Sequence, residues 1–229
     1  MALIKPLLLA GGRSSRMGTR KELLSLEGNE PMYKQLVSVL HMACPESDMV
    51  YLSLRNREAA KAIRKSNKHA GIEDDLFELP MDYSTVHIIY DHEAGNEDTD
   101  IGPAAGLLSA HHHDPAATWL VAACDYPFLT AAALQCLRKE SEGASITCFS
   151  NAKGFCEPLL GIWTPEALRA LRENVEQGIC GPSAVVRRLC GRTIRPVDER
   201  WLFNANSWDE WKQAIEMRKT RNLVDPKGS

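Results

Sequence analysis

The sequence predicts an α/β fold, a three-layer α/β/α Rossmann-like sandwich with a mainly parallel central sheet. Two observations carry this prediction. Short apolar runs alternate along the chain with segments in which apolar residues recur at helical spacing. The chain has 229 residues, 44% of them hydrophobic, which is enough to bury the core of one domain. Strands separated by helices form parallel βαβ units, which pack as a sheet between helical layers.

The predicted strands share an apolar composition and end at polar residues or glycine. They cover residues 3–10, 49–54, 86–90, 119–123, 144–149, 159–163 and 193–197. The predicted helices lie between and after them, at 31–43, 58–69, 103–112, 130–142, 165–177, 182–190 and 207–218. Local residues support three of the predicted helix starts. Pro31 suits a first helical turn, Thr130 suits an N-cap, and Ser207 with Glu210 forms a capping-box pattern.

These elements predict one domain over residues 1–221, in which 163–201 forms a flap or small subdomain, followed by a flexible tail at 222–229. Acidic residues concentrate in 73–100, a stretch without Lys or Arg. We interpret its parts 73–82 and 97–100 as solvated loops. Asp91 is different because it directly follows an apolar strand.

Composition excludes several classes of function. The net charge of −3 argues against a general nucleic-acid-binding protein, and no apolar run reaches the roughly 20 residues that cross a membrane. Residues 1–10 are too short for a signal peptide and are interpreted as the first strand. The seven cysteines are scattered, without a C-x-x-C pair, which predicts reduced thiols in a cytoplasmic protein. The oligomeric state is left open.

The end of the first strand predicts a phosphate-binding loop. Glycines let backbone N–H groups approach an anion, and cationic side chains add directed donors. The segment supplies Leu9, Ala10, Gly11 and Gly12, then Arg13, Arg16 and Lys21. Its spacing is neither that of the P-loop nor that of the dinucleotide motif G-x-G-x-x-G. We therefore expect a nucleotide or another polyphosphate as ligand.

Asp125 follows the apolar strand at 119–123. In open α/β sheets, ligands bind at the carboxyl ends of strands, where Gly11, Gly12, Asp91 and Asp125 are all expected. From the residues alone, Asp125 either caps a helix or holds a cation. A phosphate loop on a neighbouring strand favours the cation, because Mg²⁺ is usually bound by one or two carboxylates and by substrate phosphates.

Four segments, in order, resemble the MobA-like nucleotidyltransferases, which transfer GMP or CMP to the molybdenum cofactor. They are L-A-G-G-x-x-x-R-M-G-x-x-K from Leu9 to Lys21 with its preceding strand, G-P-A-A-G-L from Gly102, C-D-Y-P-F-L around Asp125, and F-N-A-N from Phe203. The resemblance spans most of the chain. It implies the fold of nucleotide-diphospho-sugar transferases and a Mg²⁺-dependent transfer of a nucleoside monophosphate, with release of pyrophosphate.

The resemblance also implies roles for individual residues. Arg16, Lys21 and Asp125 would be catalytic, and Asp125 would hold Mg²⁺. Nucleotide contacts would come from Leu9, Ala10, Gly11, Gly12, Arg13, Lys21, Asp91, Gly102, Pro103 and Gly106. We expect acceptor contacts from Arg187, Arg188, Asn204 and Asn206. The second glycine of L-A-G-G favours GTP over CTP as donor, and the expected acceptor is molybdopterin or another phosphorylated small molecule.

Two departures from the family pattern keep alternatives open. Arg20 stands where the family usually has Asp, and 95–101 lengthens the segment after Asp91. The alternatives are a catalytically silent nucleotide-binding relative and a cytidylyltransferase that acts on a sugar phosphate or another phosphorylated acceptor. An NADP-dependent oxidoreductase using Arg13 and Arg16 is disfavoured, because the sequence lacks the G-x-G-x-x-G spacing and a Tyr-x-x-x-Lys pair.

Overall fold

The structure is a computed structural model that describes residues 3–12, 18–26, 28, 30–67, 75–79, 85–91 and 101–224, with side chains up to residue 220. Its centre is one eight-stranded sheet with the order β3-β4-β2-β1-β5-β7-β6-β8. The strands are β1 Ile4–Leu9, β2 Met49–Leu54, β3 Leu76–Glu78, β4 Thr85–Tyr90, β5 Thr118–Ala123, β6 Ile146–Ser150, β7 Cys156–Trp163 and β8 Arg192–Ile194.

Helices cover both faces of the sheet, as the predicted three-layer α/β class requires. They are α1 Met32–Ala43, α2 Arg57–Ser66, α3 Ala104–His113, α4 Ala131–Glu140, α5 Pro165–Glu176, α6 Pro182–Arg188 and α7 Trp208–Val224. Helices α1 and α4 pack together on one face, while α3, α5 and α6 pack on the other. Among the described residues, no helix combines the length and apolar character needed to span a membrane.

The four central strands β4, β2, β1 and β5 are parallel, so their carboxyl ends meet at one edge. β1 lies in the middle of this group, and its Leu7 and Leu8 are both fully buried although they face opposite sides of the sheet. Such a strand, covered on both faces, is apolar without alternation. The predicted run of leucines therefore marks the centre of the core, and the chain leaves that centre at Gly11.

The sheet is mixed in its outer parts, more so than the sequence indicated. β7 runs antiparallel to both of its neighbours, β5 and β6, and β3 runs antiparallel to β4. β8, the strand predicted at 193–197, pairs with β6 in this same sheet. Helix α7 continues to Val224, three residues into the segment predicted as a tail.

The interpretation of 73–82 as a solvated acidic loop is wrong for its central part. Here β3 adds an edge strand, and Phe77 is only 5% exposed. Asp75 forms an ion pair with Arg64 of α2 and accepts a hydrogen bond from the Tyr90 hydroxyl. One buried aromatic residue and one ion pair thus hold this acidic segment at the edge of the sheet. The acidic segment 97–100 lies outside the described residues.

The predicted helix caps are confirmed by their hydrogen bonds. The Thr130 hydroxyl accepts from the Ala133 N–H at 3.2 Å at the start of α4. Before α7, the Ser207 hydroxyl accepts from the Glu210 N–H at 3.3 Å, while a Glu210 carboxylate oxygen accepts from the Ser207 N–H at 2.8 Å. This reciprocal box fixes the direction in which the chain enters α7.

Two histidines lie in an aromatic cluster near the amino ends of the central strands, opposite the glycine turn. The His87 ring stacks on Tyr51 at 5.5 Å between centroids, and His113 meets His87 edge-on at 4.9 Å. Burial lowers the pKa of both imidazoles, and the nearby Lys5 ammonium lowers it further. For His87 the positive charge of His113 acts in the same direction.

We expect the free energy of unfolding to fall as the pH is lowered through 6.5, the ordinary pKa of histidine. Below that pH the unfolded chain binds protons that the folded cluster resists. Urea unfolding at about pH 7.5 and about pH 5.5 measures this slope. The double variant His87→Phe, His113→Phe should show a flatter dependence, and an unchanged slope would contradict the assignment.

Candidate active site at the carboxyl edge of the sheet

Three predicted positions come together where the parallel strands end. Leu9 of β1 is in register with Ser53 of β2 and with Ala123 of β5, while Leu54 of β2 is in register with Tyr90 of β4. The residues that follow these strands therefore lie side by side. They are Gly11 after β1, Asp91 after β4 and Asp125 after β5.

Gly11 lies directly against the carboxylate of Asp91. A Cβ atom at Gly11 would lie 2.0 Å from Asp91 Oδ2, closer than any real contact allows. The hydroxyl of the fully buried Ser53 donates a hydrogen bond to Asp91 Oδ1, and the Asp91 N–H donates to the Leu54 carbonyl at 2.9 Å. Asp91 is thus held between β2 and the glycine turn, and only glycine leaves room for it.

The predicted turn before α3 packs on the same serine. Gly102 has φ +59°, a left-handed conformation that favours glycine, and Pro103 follows it. A Cβ atom at Gly106 would lie 2.5 Å from Ser53 Oγ and 2.8 Å from Leu9 Cδ2. The glycine at 106 therefore lets the first turn of α3 approach the ends of β1 and β2, so its N-terminus faces this edge.

Leu9 and Ala10 hold the turn in the sheet through their backbone groups. The Leu9 carbonyl accepts from the Cys124 N–H at 3.0 Å, and the Ala10 N–H donates to the Ser53 carbonyl at 2.9 Å. Gly12, one residue further, is exposed, and a Cβ atom there would meet no described atom within 4 Å. The described residues therefore leave room for a ligand beside Gly12, while direct nucleotide contacts of Leu9 and Ala10 stay predictions.

The carboxylate of Asp125 is 20% exposed, and one of its oxygens is buried without a partner in the described part of the chain. Its Oδ2 lies 4.0 Å from the Lys21 ammonium, while its buried Oδ1 has no hydrogen-bond partner among the described residues. Burial raises the pKa of this carboxyl, and the charge of Lys21 opposes the rise. An unpartnered buried carboxylate oxygen is costly, which makes it a strong candidate ligand for a cation.

The predicted asparagine segment folds back onto Asp125. The Ala205 N–H donates to the Asp125 carbonyl at 2.9 Å, and the Lys21 ammonium donates to Asn206 Oδ1 at 2.8 Å. Asn204 lies close enough to lower the pKa of the Asp125 carboxyl, and its own buried Oδ1 likewise lacks a partner in the described part of the chain. Lys21, Asp125, Asn204 and Asn206 thus form one polar cluster.

This cluster fits a hard divalent cation that also binds phosphate. Two buried side-chain oxygens, Asp125 Oδ1 and Asn204 Oδ1, have no partner among the residues that the structure describes, and oxygen is the ligand that Mg²⁺ prefers. The described residues contain no group of three His, Cys, Asp or Glu side chains arranged to hold a metal. An ion at Asp125 would therefore complete its coordination with water and phosphate oxygens, as Mg²⁺ usually does.

Two predicted acceptor residues are not brought to the cluster. Arg187 and Arg188 end α6, and the turn after it places Gly191 against Ile146 at the amino end of β6, the opposite edge of the sheet. Arg188 also forms an ion pair with Glu173 of α5. This placement does not favour Arg187 and Arg188 as acceptor ligands, so that role stays a prediction; the sequence did not show which edge α6 would reach. Arg13 and Arg16 lie outside the described residues.

Sequence reasoning missed Ser53 and Glu22. A signal for Ser53 was available, since it is a polar residue near the end of an otherwise apolar strand, where ligands are expected. Glu22 lies in a 3-10 turn, Lys21–Leu23, and is only 2% exposed. It accepts a hydrogen bond from the Arg20 guanidinium at 3.2 Å. Its burial depends on how this turn packs, which the local sequence does not reveal.

We predict that Gly11→Ala destabilises the protein by about 1–2 kcal/mol, because the new methyl group must displace Asp91 from Ser53. Urea unfolding measures this change. Gly12→Ala is the matched control, since its methyl group meets open space and should change stability by less than about 0.5 kcal/mol. Equal effects of the two substitutions would contradict the close contact between Gly11 and Asp91.

Comparison with known proteins supports the resemblance drawn from the motifs. Among curated proteins, a probable molybdenum cofactor guanylyltransferase of Synechococcus elongatus is 26% identical over 214 residues, covering 92% of this chain and 97% of the relative. A molybdenum cofactor biosynthesis bifunctional protein of Synechocystis is 26% identical over 209 residues. That match covers 90% of this chain and 52% of the relative, so the chain spans about half of the bifunctional protein.

Solved structures show the same fold. Molybdopterin-guanine dinucleotide biosynthesis protein A from Archaeoglobus fulgidus superposes with a TM-score of 0.68 at 21% identity, covering 95% of this chain and all of the other. A nucleotidyl transferase from Methanothermobacter gives a TM-score of 0.69 at 18% identity, covering 96% and 99%. The family model described as the MobA-like NTP transferase domain matches residues 6–194. The chain therefore belongs to the MobA-like NTP transferase family.

Proposed function

We propose that this chain is a metal-dependent guanylyltransferase that moves GMP from GTP to a phosphorylated, molybdopterin-like acceptor in the cytoplasm. The observation that carries the proposal is the cluster of Lys21, Asp125, Asn204 and Asn206 beside the turn at Gly11 and Gly12. Such a cluster suits a triphosphate and a cation together. That all seven cysteines are free thiols supports a reducing compartment.

In the proposed reaction, a phosphate oxygen of the acceptor attacks the α-phosphorus of the nucleoside triphosphate. A new oxygen–phosphorus bond forms, the bond between the α-phosphorus and the bridging oxygen breaks, and pyrophosphate leaves. The attacking phosphate is already ionised at neutral pH, so this step needs no side-chain base. The task of the protein is then to position the groups and to stabilise the negative charge that develops.

Lys21 is the described residue best placed to stabilise that charge. Its ammonium is only 13% exposed and is oriented by Asn206 and Asp125, so it is fixed before a ligand arrives. A preorganised donor in a poorly solvated site stabilises charge more strongly than the same donor in water. The N–H groups beyond Ala10 are the corresponding neutral donors, because the open space beside Gly12 lets phosphates approach them.

A divalent cation, Mg²⁺ in this proposal, would be held by Asp125 and Asn204 through their unsatisfied oxygens. When bound, such an ion neutralises phosphate charge and polarises the phosphorus–oxygen bonds. The protein's own contribution is to keep the Asp125 carboxylate buried and close to Lys21. Asp91, fixed by Ser53 and Gly11, would contact the sugar or base of the nucleotide together with the turn at Gly102 and Pro103.

Guanine is favoured as the base of the donor, and the presence of L-A-G-G rather than L-A-A-G at residues 9–12 supports it. Several of the curated relatives carry the name molybdenum cofactor guanylyltransferase, which supports GTP as donor and a molybdopterin acceptor. A second candidate is a nucleotide-binding relative without turnover. Arg20, at the place of the family's aspartate, is the observation that favours it.

We expect Asp125→Asn to reduce transfer by about 100-fold or more while leaving the unfolding free energy equal or higher. Burial already disfavours the ionised carboxylate, so a neutral isostere relieves that penalty but loses the cation ligand. Initial rates and urea unfolding measure the two effects. Asp209→Asn, at a side chain that is 96% exposed, is the control and should change neither. Full activity of Asp125→Asn would refute the assignment.

We expect Lys21→Ala to lower turnover by about 100-fold or more, because it removes the preorganised cation. Lys212→Ala, at an ammonium that is 73% exposed on α7, is the matched control. Rates measured at saturating GTP separate this loss from weakened binding. A turnover equal to that of the control would show that Lys21 has no catalytic role.

The donor and the reaction are tested by titrating GTP, CTP, ATP and UTP calorimetrically with and without Mg²⁺, and then by assaying GMP transfer to molybdopterin. Tight binding of GTP that needs Mg²⁺, followed by product, is expected. CTP preference would indicate a cytidylyltransferase. Binding of GTP without any product, with Lys21 intact, would favour the silent relative.

A further inference from the structure

We propose that Glu22 is a positioning residue that holds Arg20 as an additional phosphate-binding cation of this site. The inference rests on the proposed function, because it assigns a ligand contact within the same site. It concerns the position at which this chain departs from the family pattern, where Arg20 replaces the usual aspartate. The shared chemistry of the ligand is a phosphate oxygen, on either the donor or the acceptor.

Glu22 is a buried acid whose side chain bonds to Arg20. Its side chain is 2% exposed, and burial raises the pKa of its carboxyl, while the Arg20 guanidinium opposes that rise. Arg20 is the only side chain bonded to it within the described residues. A buried carboxylate requires a partner, so the pair is interdependent. Glu22 therefore fixes a guanidinium that would otherwise move freely at the surface.

Arg20 and Glu22 stand on either side of Lys21, a member of the polar cluster with Asp125, Asn204 and Asn206. Arg20 is the extended residue immediately before the 3-10 turn Lys21–Leu23, so Arg20, Lys21 and Glu22 are consecutive. Lys21 reaches Asp125 and Asn206, while Glu22 lies close enough to raise the pKa of the Cys124 thiol, next to Asp125. The 3-10 turn therefore contacts the polar cluster through Lys21, and its Glu22 lies near Cys124, the residue before Asp125.

Arg20 carries a positive charge and keeps hydrogen-bond donors that Glu22 does not use. Its hydrogen bond to Glu22 uses one terminal nitrogen, and its side chain is 38% exposed. The other guanidinium donors have no protein partner in the described part of the chain. An aspartate here would add a negative charge beside a polyphosphate, whereas the arginine offers a planar edge that matches two phosphate oxygens.

The test is calorimetric titration of the full chain with two probes, inorganic tripolyphosphate for the donor and phenyl phosphate for the acceptor. The variants are Arg20→Gln, Glu22→Gln and the double variant. Arg172→Gln, an exposed arginine on α5, is the matched control for net charge. We expect Arg20→Gln to weaken one probe about tenfold, a typical size for a charge-assisted contact. The probe that is weakened identifies the source of the phosphate.

The coupling of the two residues gives the second readout. Glu22→Gln should lower the affinity for the same probe. The double variant should bind that probe no more weakly than Arg20→Gln does, because Glu22 acts only through Arg20. Equal affinities of wild type and Arg20→Gln for both probes would overturn the proposal, as would an equal loss in Arg172→Gln or an unchanged affinity in Glu22→Gln. A wild type that binds neither probe would also overturn it. The probes contain no nucleoside, so failure of GMP transfer is a separate result.

Discussion

The site depends on the contact between the chain's C-terminal part and the end of β5. The Ala205 N–H donates to the Asp125 carbonyl, and the Lys21 ammonium donates to Asn206, a residue 185 positions later in the sequence. Without these two bonds, Lys21 and Asp125 would face each other across an open edge. With them, the cluster is closed on one side, and its unsatisfied oxygens are kept away from bulk water.

A parallel sheet makes this arrangement possible. The parallel strands β1, β4 and β5 deliver Gly11, Asp91 and Asp125 to one edge, and β2 lies between β4 and β1. The glycines at 11 and 106 have steric rather than conformational roles, because a methyl group at either would collide with the Asp91–Ser53 pair. The rigid part of the site is therefore built by packing, while the described residues leave room for a ligand beside Gly12.

The central elements were predictable because their signals are local. The apolar run of β2 and the capping residues Thr130 and Ser207 need no tertiary information. β3 was missed because its single buried aromatic, Phe77, lies among acidic residues that resemble a solvated loop. The edge reached by Arg187 and the burial of Glu22 are consequences of packing between distant segments. The sequence identified which residue types form the site, but not which of the basic residues reach it.

A direct structural measurement tests whether Asp125 holds the cation. Crystals grown with Mn²⁺ and a non-hydrolysable GTP analogue would locate the metal by its anomalous scattering. The account predicts one strong peak within about 2.5 Å of Asp125 Oδ1, close to Asn204 Oδ1, with the triphosphate between that peak and Gly12. A metal and triphosphate bound elsewhere, with Asp125 Oδ1 still unpartnered, would contradict it.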